Sequence, residues 1–352
     1  MMKHNWMIYG ANGYTGRLIV KEAKKRGMEP ILAGRNKGAI EEICAETGFE
    51  SRVFDLDNQT AVQQALEGIA IVLHCAGPFS ATSQPMIEAC LATGSHYLDI
   101  TGEISVFANA YRQSDGARRA DIVLMPGVGF DVVPTDCLAA TLVKKLPAAT
   151  AMVLAFESGG RISPGTAKTS VEGLASGGCV RQGGELKRVP LAWKSREIPF
   201  AHGKRLAMTI PWGDVFTAYI STGVPDIEVY MSAPPSTIKR LRRMRMIQPL
   251  LSMQWVQNAI KRRIEKSIKG PDKEARQSSE MQLWGEVSSL DGRSVAATMT
   301  TPDGYDVTVM ASLGIVEYLL TTEVEGGFYT PSLLLGADYA ESLPGISIKI
   351  NS

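Results

Sequence analysis

The chain has 352 residues, of which 45% are hydrophobic and 21% are charged. This composition is typical of a globular protein and excludes intrinsic disorder, collagen and coiled coil, while the length is enough for about two domains. Lysine and arginine number 37 and aspartate and glutamate 36, so the net charge of +1 gives no whole-molecule reason to expect a nucleic-acid partner.

The cysteine and histidine usage bears on compartment and metal binding. The five cysteines include no C-x-x-C pair, and free thiols in a reducing compartment fit this usage better than a disulfide framework. His4 and His202 have no companions at metal-ligand spacing, so we predict no metal site. With no signal-peptide pattern and no uncharged apolar run of about 18 residues, we expect a cytoplasmic protein.

Over the first 125 residues, predicted strands and helices alternate regularly. The apolar run from Ile69 to Ala76 is typical of a strand buried on both faces of a parallel sheet. We expect strands at 5–9, ending near 33, 51–55, 69–76, 96–100 and 121–125, and helices at 14–27, 37–47, 59–67, 83–93 and 103–119. This alternation predicts an α/β fold with a Rossmann doubly wound parallel sheet and right-handed crossovers.

After Gly127 the rhythm changes, and short stretches of alternating polarity predict a second α/β domain with a mixed or antiparallel sheet. We expect helices at 134–146 and 163–176, and strands at 150–157, 206–211, 215–220, 226–231, 282–289, 293–300 and 305–311. The predicted domains are therefore 1–133 and 134–325, the second with a basic excursion at 234–270. An exposed sheet face in the second domain favours a homodimer.

A glycine-rich turn, Gly10-Ala-Asn-Gly-Tyr-Thr-Gly16, follows the first strand and opens the first helix. Gly10 permits the tight turn, Gly13 lets the backbone approach a pyrophosphate, and Gly16 allows the helix to pack closely on the strand. The helix N-terminus then offers N–H groups and a positive dipole end to phosphates. The alternative is a glycine-rich turn without a ligand, but the surrounding strand and helices favour nucleotide binding.

The end of the second strand selects the cofactor. NAD-specific sites place an acidic residue there, whereas residues 33–37 are Ala-Gly-Arg-Asn-Lys and contain none. Arg35 could hold the 2′-phosphate of NADP through charge-assisted hydrogen bonds, the alternative being a solvated surface arginine. The absent acid favours NADP(H) as the cofactor.

Other strand ends complete the predicted cofactor site. Asp55 and Leu56 follow the third strand, where adenine would lie, although Asp55 could equally be a turn or capping residue. Small residues after the fourth strand leave room for ribose and nicotinamide, and we interpret Cys75 there as a buried small residue and not as a catalytic thiol. The predicted cofactor-binding residues are Gly10, Asn12, Gly13, Tyr14, Thr15, Gly16, Arg35, Asn36, Asp55, Leu56, Cys75, Ala76, Gly77, Pro78, Thr101 and Gly102.

Two acidic residues are candidates for catalysis. Glu103 and Asp131 both follow predicted strands, whose ends face the ligand crevice of a doubly wound sheet. Either could orient the substrate or relay a proton. The competing interpretations are an acid favoured by a helix dipole for Glu103 and a structural carboxylate for Asp131.

Residues 238–269 form a strongly basic segment, with ten basic residues and one acid, Glu265. The segment therefore carries +9, which leaves −8 on the other 320 residues. Met, Leu, Ile and Trp lie between its two basic clusters, a pattern typical of a helix on an anionic membrane surface. The alternative is a solvated excursion that packs its apolar side on the protein. Nucleic acid is disfavoured because no recognition motif accompanies the charge.

The motifs together resemble the saccharopine dehydrogenase-like oxidoreductase family, including its trans-acting enoyl reductase branch. The matching segments, in order, are Gly10–Arg17, Cys75–Phe79, Ala89–Glu103, Pro126–Asp136, Gly165-Thr166, Gly270–Arg276, Tyr305 and Gly326–Pro331. The resemblance implies a nicotinamide-dependent oxidoreductase with a Rossmann domain, a second α/β domain, and a C-terminal segment, 326–352, that returns to the Rossmann domain. It leaves open whether the substrate is an amino acid or a lipid-like chain.

We therefore expect a cytoplasmic NADPH-dependent oxidoreductase that transfers hydride to a C=C or C=N bond. The first choice of substrate is a lipid-like enoyl compound, and residues 238–269 predict peripheral contact with the inner membrane surface. One alternative is a saccharopine-type amino-acid dehydrogenase that acts on a C–N bond. The other is a non-catalytic, nucleotide-binding, membrane-associated adaptor.

Overall fold

The computed structural model describes residues 5–157, 163, 165–167, 171, 173, 177–247, 253–267 and 270–351. These residues form two compact units, each described by itself below. The first unit comprises Met1–Phe130 and Thr308–Thr330, and the second comprises Asp131–Val307 and Pro331–Ser352.

The first unit is built on a seven-stranded, entirely parallel sheet. Its strands are β1 Asn5–Tyr9, β2 Ile31–Gly34, β3 Ser51–Val53, β4 Ile69–His74, β5 His96–Asp99, β6 Val123–Met125 and β15 Gly327–Phe328. The strand order β15-β6-β5-β4-β1-β2-β3 shows that the chain builds outward from β1 to β3 and then returns to place β4 on its other side. The expected Rossmann doubly wound sheet is confirmed.

Helices separate the strands of the first unit along the chain, and the first of them has the predicted amphipathic pattern. They are α1 Tyr14–Lys25, α2 Lys37–Thr47, α3 Gln59–Leu66, α4 Phe79–Thr93, α5 Ile104–Arg112, α6 Ser114–Ala120 and, from Thr308 on, α12 Gly304–Thr321. Helix α1 buries Gly16, Ile19, Val20 and Ala23 on one face, which follows from their helical spacing. The single helix expected over 103–119 is two helices, α5 and α6, that meet at Gln113.

The second unit contains a nine-stranded mixed sheet. Its strands are β7 Ala151–Phe156, β8 Gly178–Gln182, β9 Glu185–Val189, β10 Ser195–Phe200, β11 Gly203–Thr209, β12 Asp226–Ser232, β13 Glu280–Ser288, β14 Ser294–Pro302 and β16 Ser347–Asn351. The order is β10-β11-β12-β7-β13-β14-β16, with β8 pairing with β12 and β9. Only the β12–β7 pair is parallel among the described strands, so the expected mixed character is confirmed.

The described helices of the second unit range from 4 to 14 residues in length. They are α7 Val133–Lys145, α8 Asp214–Thr222, α9 Pro235–Met244, α10 Gln254–Ser267, α11 Lys273–Gln277, α13 Pro331–Leu335 and α14 Tyr339–Ser342, with a 3₁₀ turn at Arg245–Ile247. No helix among the described residues is both long and apolar enough to cross a bilayer.

Two predicted strands were wrong, because residues 215–220 lie in α8 and residues 305–311 lie in α12. Both segments are largely buried, and a buried helix is apolar on most sides, so a short window cannot separate it from a strand. The helix expected at 163–176 falls largely outside the described residues.

The structure also divides the chain differently from the expected domains. The first boundary falls after Phe130 instead of 133, and residues 326–352 do not all return to the Rossmann domain. Gly327–Phe328 pairs with β6, but Pro331–Ser352 belongs to the second unit. The reason is that β16 finds its hydrogen-bonding partner in β14 of the mixed sheet.

Candidate functional site

The loop after β1 is shaped by two glycines that the protein's own packing requires. Gly10 has φ +84°, and a Cβ there would lie 2.7 Å from the backbone nitrogen of Ala76. A Cβ on Gly16 would lie 2.3 Å from the carbonyl oxygen of Gly10. These distances show that only glycine fits at either position, and that the loops after β1 and β4 meet at Gly10 and Ala76.

Gly13 is different, because the surrounding protein scarcely needs a glycine there. It is the N-cap residue of α1, its φ of −70° is open to any residue, and no side chain caps the helix start. The nearest atom to a Cβ on Gly13 would be the Gly10 carbonyl oxygen, at 3.2 Å. No side chain therefore stands at the N-cap of α1, and a helix start of this kind presents N–H groups and a favourable dipole to an anion.

The end of β2 carries the predicted cofactor-selecting residues. Arg35 is exposed and forms no ion pair within the part of the chain that the structure describes. Asn36 accepts a hydrogen bond from the Ala39 N–H and so caps α2. Asn12 reaches the same strand end, since its Oδ1 lies 3.1 Å from where a Cβ on Gly34 would be. The strand end thus offers a guanidinium and no carboxylate.

Asp55 and Leu56 lie near this strand end but have different surroundings. Asp55 is exposed and accepts a hydrogen bond from the Asp57 N–H, whereas Leu56 is buried in the core. Burial and the negative charge of Asp55 raise the pKa of the Tyr9 hydroxyl to about 12, and the positive charge of Arg35 opposes this shift. Asp55 and Arg35 therefore both lie close enough to Tyr9, at the end of β1, to shift the pKa of its hydroxyl.

The end of β4 contains a histidine that sequence reasoning missed. His74 is fully buried, and burial lowers its pKa to about 3, so the ring is neutral. Its Nε2 lies 3.0 Å from Thr82 Oγ1, and Nδ1 has no hydrogen-bond partner. Since the Thr82 hydroxyl donates to the Ala76 carbonyl, Nε2 carries the ring proton. The apolar context of residues 69–76 concealed this residue.

The residues after His74 form the predicted ribose and nicotinamide side of the site. Gly77 is exposed and precedes a cis peptide bond to Pro78, which is the N-cap residue of α4. Burial and the nearby Asp99 carboxylate raise the pKa of the Cys75 thiol above its ordinary value. A thiol held in its neutral form is a poor nucleophile, which agrees with the interpretation of Cys75 as a structural residue.

Asp99, which sequence reasoning also missed, organises the loops after β5 and β6. Its buried carboxylate accepts hydrogen bonds from the Tyr97 hydroxyl at 2.6 Å, the Thr101 N–H at 2.9 Å and the Gly127 N–H at 3.0 Å. Burial raises the pKa of Asp99 to about 6, and the three hydrogen bonds oppose this shift. The position of Asp99 in the sequence could have indicated this role, because an acid at the carboxyl end of a parallel strand faces the ligand-binding edge of the sheet.

Glu103, a predicted catalytic residue, has both carboxylate oxygens engaged with backbone. The Phe79 N–H donates to Oε1 at 3.0 Å, and the Ser80 N–H donates to Oε2 at 2.8 Å. Glu103 therefore caps the start of α4, which explains why that helix begins four residues before the predicted position. Thr101 positions Glu103 in turn, since its hydroxyl oxygen accepts from the Glu103 N–H at 3.0 Å, with Gly102 between them.

Asp131, the other predicted catalytic residue, belongs to the second unit. Burial raises its pKa to about 7, and its backbone carbonyl accepts from Trp212 Nε1. Nearby in that unit, buried Asp214 accepts from the Thr135 hydroxyl through Oδ1 and leaves Oδ2 without a partner. Burial raises the pKa of Asp214 well above its ordinary range. The role of Asp131 in catalysis stays a prediction.

The geometry of the first unit fits a dinucleotide with a 2′-phosphate. Gly10 and Gly13 leave the backbone before α1 without side chains that would block a pyrophosphate, and Arg35 supplies a cation where an NAD site has an acid. Within the described ranges, no group of three or more His, Cys, Asp and Glu side chains is placed to hold a metal ion.

Comparisons with known proteins agree with this assignment. Residues 6–125 match the family model of the saccharopine dehydrogenase NADP binding domain. The saccharopine dehydrogenase-like oxidoreductase of Homo sapiens is 23% identical over 151 residues, which cover 37% of this chain and 35% of that protein. The trans-acting enoyl reductase of Mycobacterium leprae (strain TN) is 30% identical over 140 residues, which cover 37% of this chain and 33% of that protein.

The fold comparison extends to both units. Apo saccharopine dehydrogenase (L-Glu forming) from Saccharomyces cerevisiae superposes with a TM-score of 0.68 at 10% sequence identity, over 99% of this chain and 100% of that one. At this identity the similarity establishes the fold, while the matched segments cover about a third of the curated relatives. The amino-terminal domain of this chain is an NADP-binding domain of the saccharopine dehydrogenase family.

Proposed function

We propose that this protein is an NADPH-dependent oxidoreductase that transfers hydride to a C=C or C=N bond. The observation that carries the proposal is the backbone surface of Gly10 and Gly13 together with the unpaired Arg35 at the end of β2. Bound NADPH supplies the hydride, while the protein supplies position and electrostatics. Our first choice of substrate is a lipid-like enoyl compound, supported by the name of the mycobacterial relative and by the basic amphipathic segment.

In this proposal each side of the site has a separate task. The first turn of α1 binds the pyrophosphate through backbone N–H groups, because Gly13 leaves no side chain in the way. Arg35 pairs with the 2′-phosphate, a geometry for which its planar guanidinium is suited. The buried carboxylate of Asp99 holds the loops after β5 and β6 in place, and the partly buried carboxylate of Glu103 holds the start of α4.

A binding experiment tests the cofactor assignment directly. NADPH and NADH are titrated into the protein and into Arg35→Ala, with Arg119→Ala as a control that removes an exposed arginine from α6. A hydrogen-bonded charge pair is worth about 1.5–3 kcal/mol, so Arg35→Ala should weaken NADPH about 10- to 150-fold and leave NADH unchanged. Equal affinity of the unmutated protein for the two cofactors would refute the assignment.

A turnover experiment tests the reaction. NADPH consumption is followed with enoyl lipids and with cyclic and acyclic imines, and NADPH formation from NADP+ is followed with amino acids that carry an N-linked substituent. Reduction of an enoyl lipid supports the first choice, and exclusive amino-acid oxidation would favour the saccharopine-type alternative. Tight NADPH binding without turnover of any of these classes would favour a nucleotide-binding adaptor.

A further inference from the structure

The second unit presents a surface that combines positive charge with exposed apolar side chains. We call it the basic surface, and its described, exposed members are Lys239, Arg240, Arg243, Met246, Ile247, Met253, Trp255 and Arg263. Met246 is 85% exposed and Trp255 is 70% exposed. Exposed side chains of this size are ordinary one at a time, but four of them within ten residues mark an interaction surface.

The opposite face of α9 is fixed to the protein, which determines what the helix displays. Ile238 is buried, the Arg242 Nε donates to the Ala192 carbonyl at 3.1 Å, and the Arg245 Nε donates to the Leu191 carbonyl at 2.7 Å. A second nitrogen of Arg245 donates to the Ala192 carbonyl at 2.8 Å. These arginines attach the helix to neutral carbonyl oxygens, and no acid within the described ranges forms an ion pair with either of them.

The outward face of α9 carries unneutralised charge followed by apolar groups. Arg240 and Arg243 are three residues apart and share one side of the helix, and Met246 continues that side after one further turn. Within the described part of the chain, none of Lys239, Arg240 and Arg243 forms an ion pair. The face is therefore both cationic and apolar.

We propose that the basic surface binds the anionic surface of a phospholipid bilayer. Lysine and arginine match the charge of anionic headgroups, and methionine, isoleucine and tryptophan gain free energy by leaving water for the interface between headgroups and acyl chains. A nucleic acid would pair with the arginines but would provide no apolar environment for Met246 and Ile247. These two apolar side chains therefore favour an anionic bilayer over a nucleic acid. The proposal is independent of the cofactor site, because vesicle binding needs no NADPH.

Sedimentation with vesicles tests the charged part of the surface. The full-length protein should bind vesicles made of phosphatidylcholine and phosphatidylglycerol in equal amounts, bind them less as salt rises, and fail to bind pure phosphatidylcholine. Each basic residue near the bilayer contributes about a fivefold gain in partitioning, so Arg240→Glu/Arg243→Glu should reduce binding by at least about 25-fold.

A matched control separates this surface from net charge. Lys187→Glu/Arg188→Glu makes the same charge change on exposed β9 of the same unit and should leave vesicle binding nearly unchanged. Retained NADPH affinity and an unchanged circular dichroism spectrum show that each variant is folded. Equal loss in the two double variants, or no binding by the parent protein, would overturn the proposal.

Tryptophan fluorescence tests the apolar part. Trp255 is exposed, whereas Trp6 and Trp284 are buried and Trp193 and Trp212 are partly buried, so a blue shift on adding anionic vesicles should disappear in Trp255→Phe. Met246→Ala should weaken binding, and Leu290→Ala, at a site 92% exposed, should not. Binding to heparin or single-stranded RNA that matches vesicle binding, without a shift from Trp255, would instead assign the surface to a generic polyanion and refute membrane insertion.

Discussion

The Gly13→Ala variant tests whether Gly13 is needed for ligand binding, in contrast to Gly10 and Gly16, which the fold itself requires. At Gly10 and Gly16 an added Cβ would meet backbone atoms at 2.7 and 2.3 Å, so the protein itself excludes a side chain. At Gly13 the nearest atom that an added Cβ would meet is the Gly10 carbonyl oxygen, at 3.2 Å. We therefore expect Gly13→Ala to fold normally and to bind NADPH poorly.

The expected magnitudes follow from the local geometry. Alanine adopts the φ of −70° and ψ of 165° at Gly13 without strain, and a shift of a few tenths of an ångström relieves the contact with Gly10. Alanine is a weaker N-cap than glycine by roughly 0.5–1 kcal/mol, but it also restricts the unfolded chain by about 0.4–1 kcal/mol. The free energy of unfolding should therefore change by less than about 1 kcal/mol. Losing one N–H contact to a phosphate weakens NADPH about 10- to 150-fold.

Urea denaturation and NADPH titration of three variants provide the measurement. Gly16→Ala should lose roughly 1–3 kcal/mol of stability through overpacking. Gly116→Ala on α6, where the new Cβ would make only ordinary contacts, the nearest with Leu91 at 3.5 Å, should gain about 0.5–1 kcal/mol and keep full NADPH affinity. NADPH binding by Gly13→Ala at the strength of the parent protein would refute the assignment of the loop to the pyrophosphate.

Three further predictions concern the acidic residues. Burial raises the pKa of Asp99 from 3.8 to about 6, so between these pH values the folded protein binds a proton that the unfolded protein does not. As pH falls from 7 to 4, the parent protein should therefore gain about 2–3 kcal/mol of stability relative to Asp99→Asn. Urea denaturation at each pH measures this difference. Glu103→Gln should lose about 1–2 kcal/mol of stability with unchanged NADPH affinity, since an amide has one acceptor oxygen for two N–H donors. If Asp131 donates the proton, the turnover rate should fall as pH rises through about 7, its raised pKa, and Asp131→Asn should remove that limb of the profile.

Much of the first unit could be predicted from the sequence because its signals are local. A strand, a glycine turn and an amphipathic helix repeat within about 30 residues, and the turn between β1 and α1 is specified by Gly10 and Gly16 alone. The absence of an acid after β2 is equally local. These features depend on neighbours in the chain, which a single sequence displays directly.

The features that escaped prediction depend on contacts between distant residues. Glu103 caps a helix that begins 24 residues earlier in the chain, and Asp99 accepts from Gly127, 28 residues later. Strand β16 pairs with β14, which lies about 50 residues earlier in the chain. A short, polar edge strand has no local sequence pattern that indicates its partner strand. Helix α8 was mistaken for a strand because burial on most sides removes the periodicity that distinguishes the two.

The hydrogen bonding of the two acids at the carboxyl edge of the first sheet limits where a proton donor can be found. Asp99 accepts three hydrogen bonds and Glu103 accepts two from backbone N–H groups, so protonating either carboxylate would cost contacts that hold loops and a helix start in place. His74 is neutral and buried, and the Cys75 thiol is held protonated, which removes both from acid–base work near neutral pH. A reductase built on this sheet therefore needs its proton from a group other than Glu103, His74 and Cys75. The first unit binds and orients the cofactor. Mutation of Asp99 or Glu103 should consequently have a larger effect on the free energy of unfolding than on the rate of the reaction.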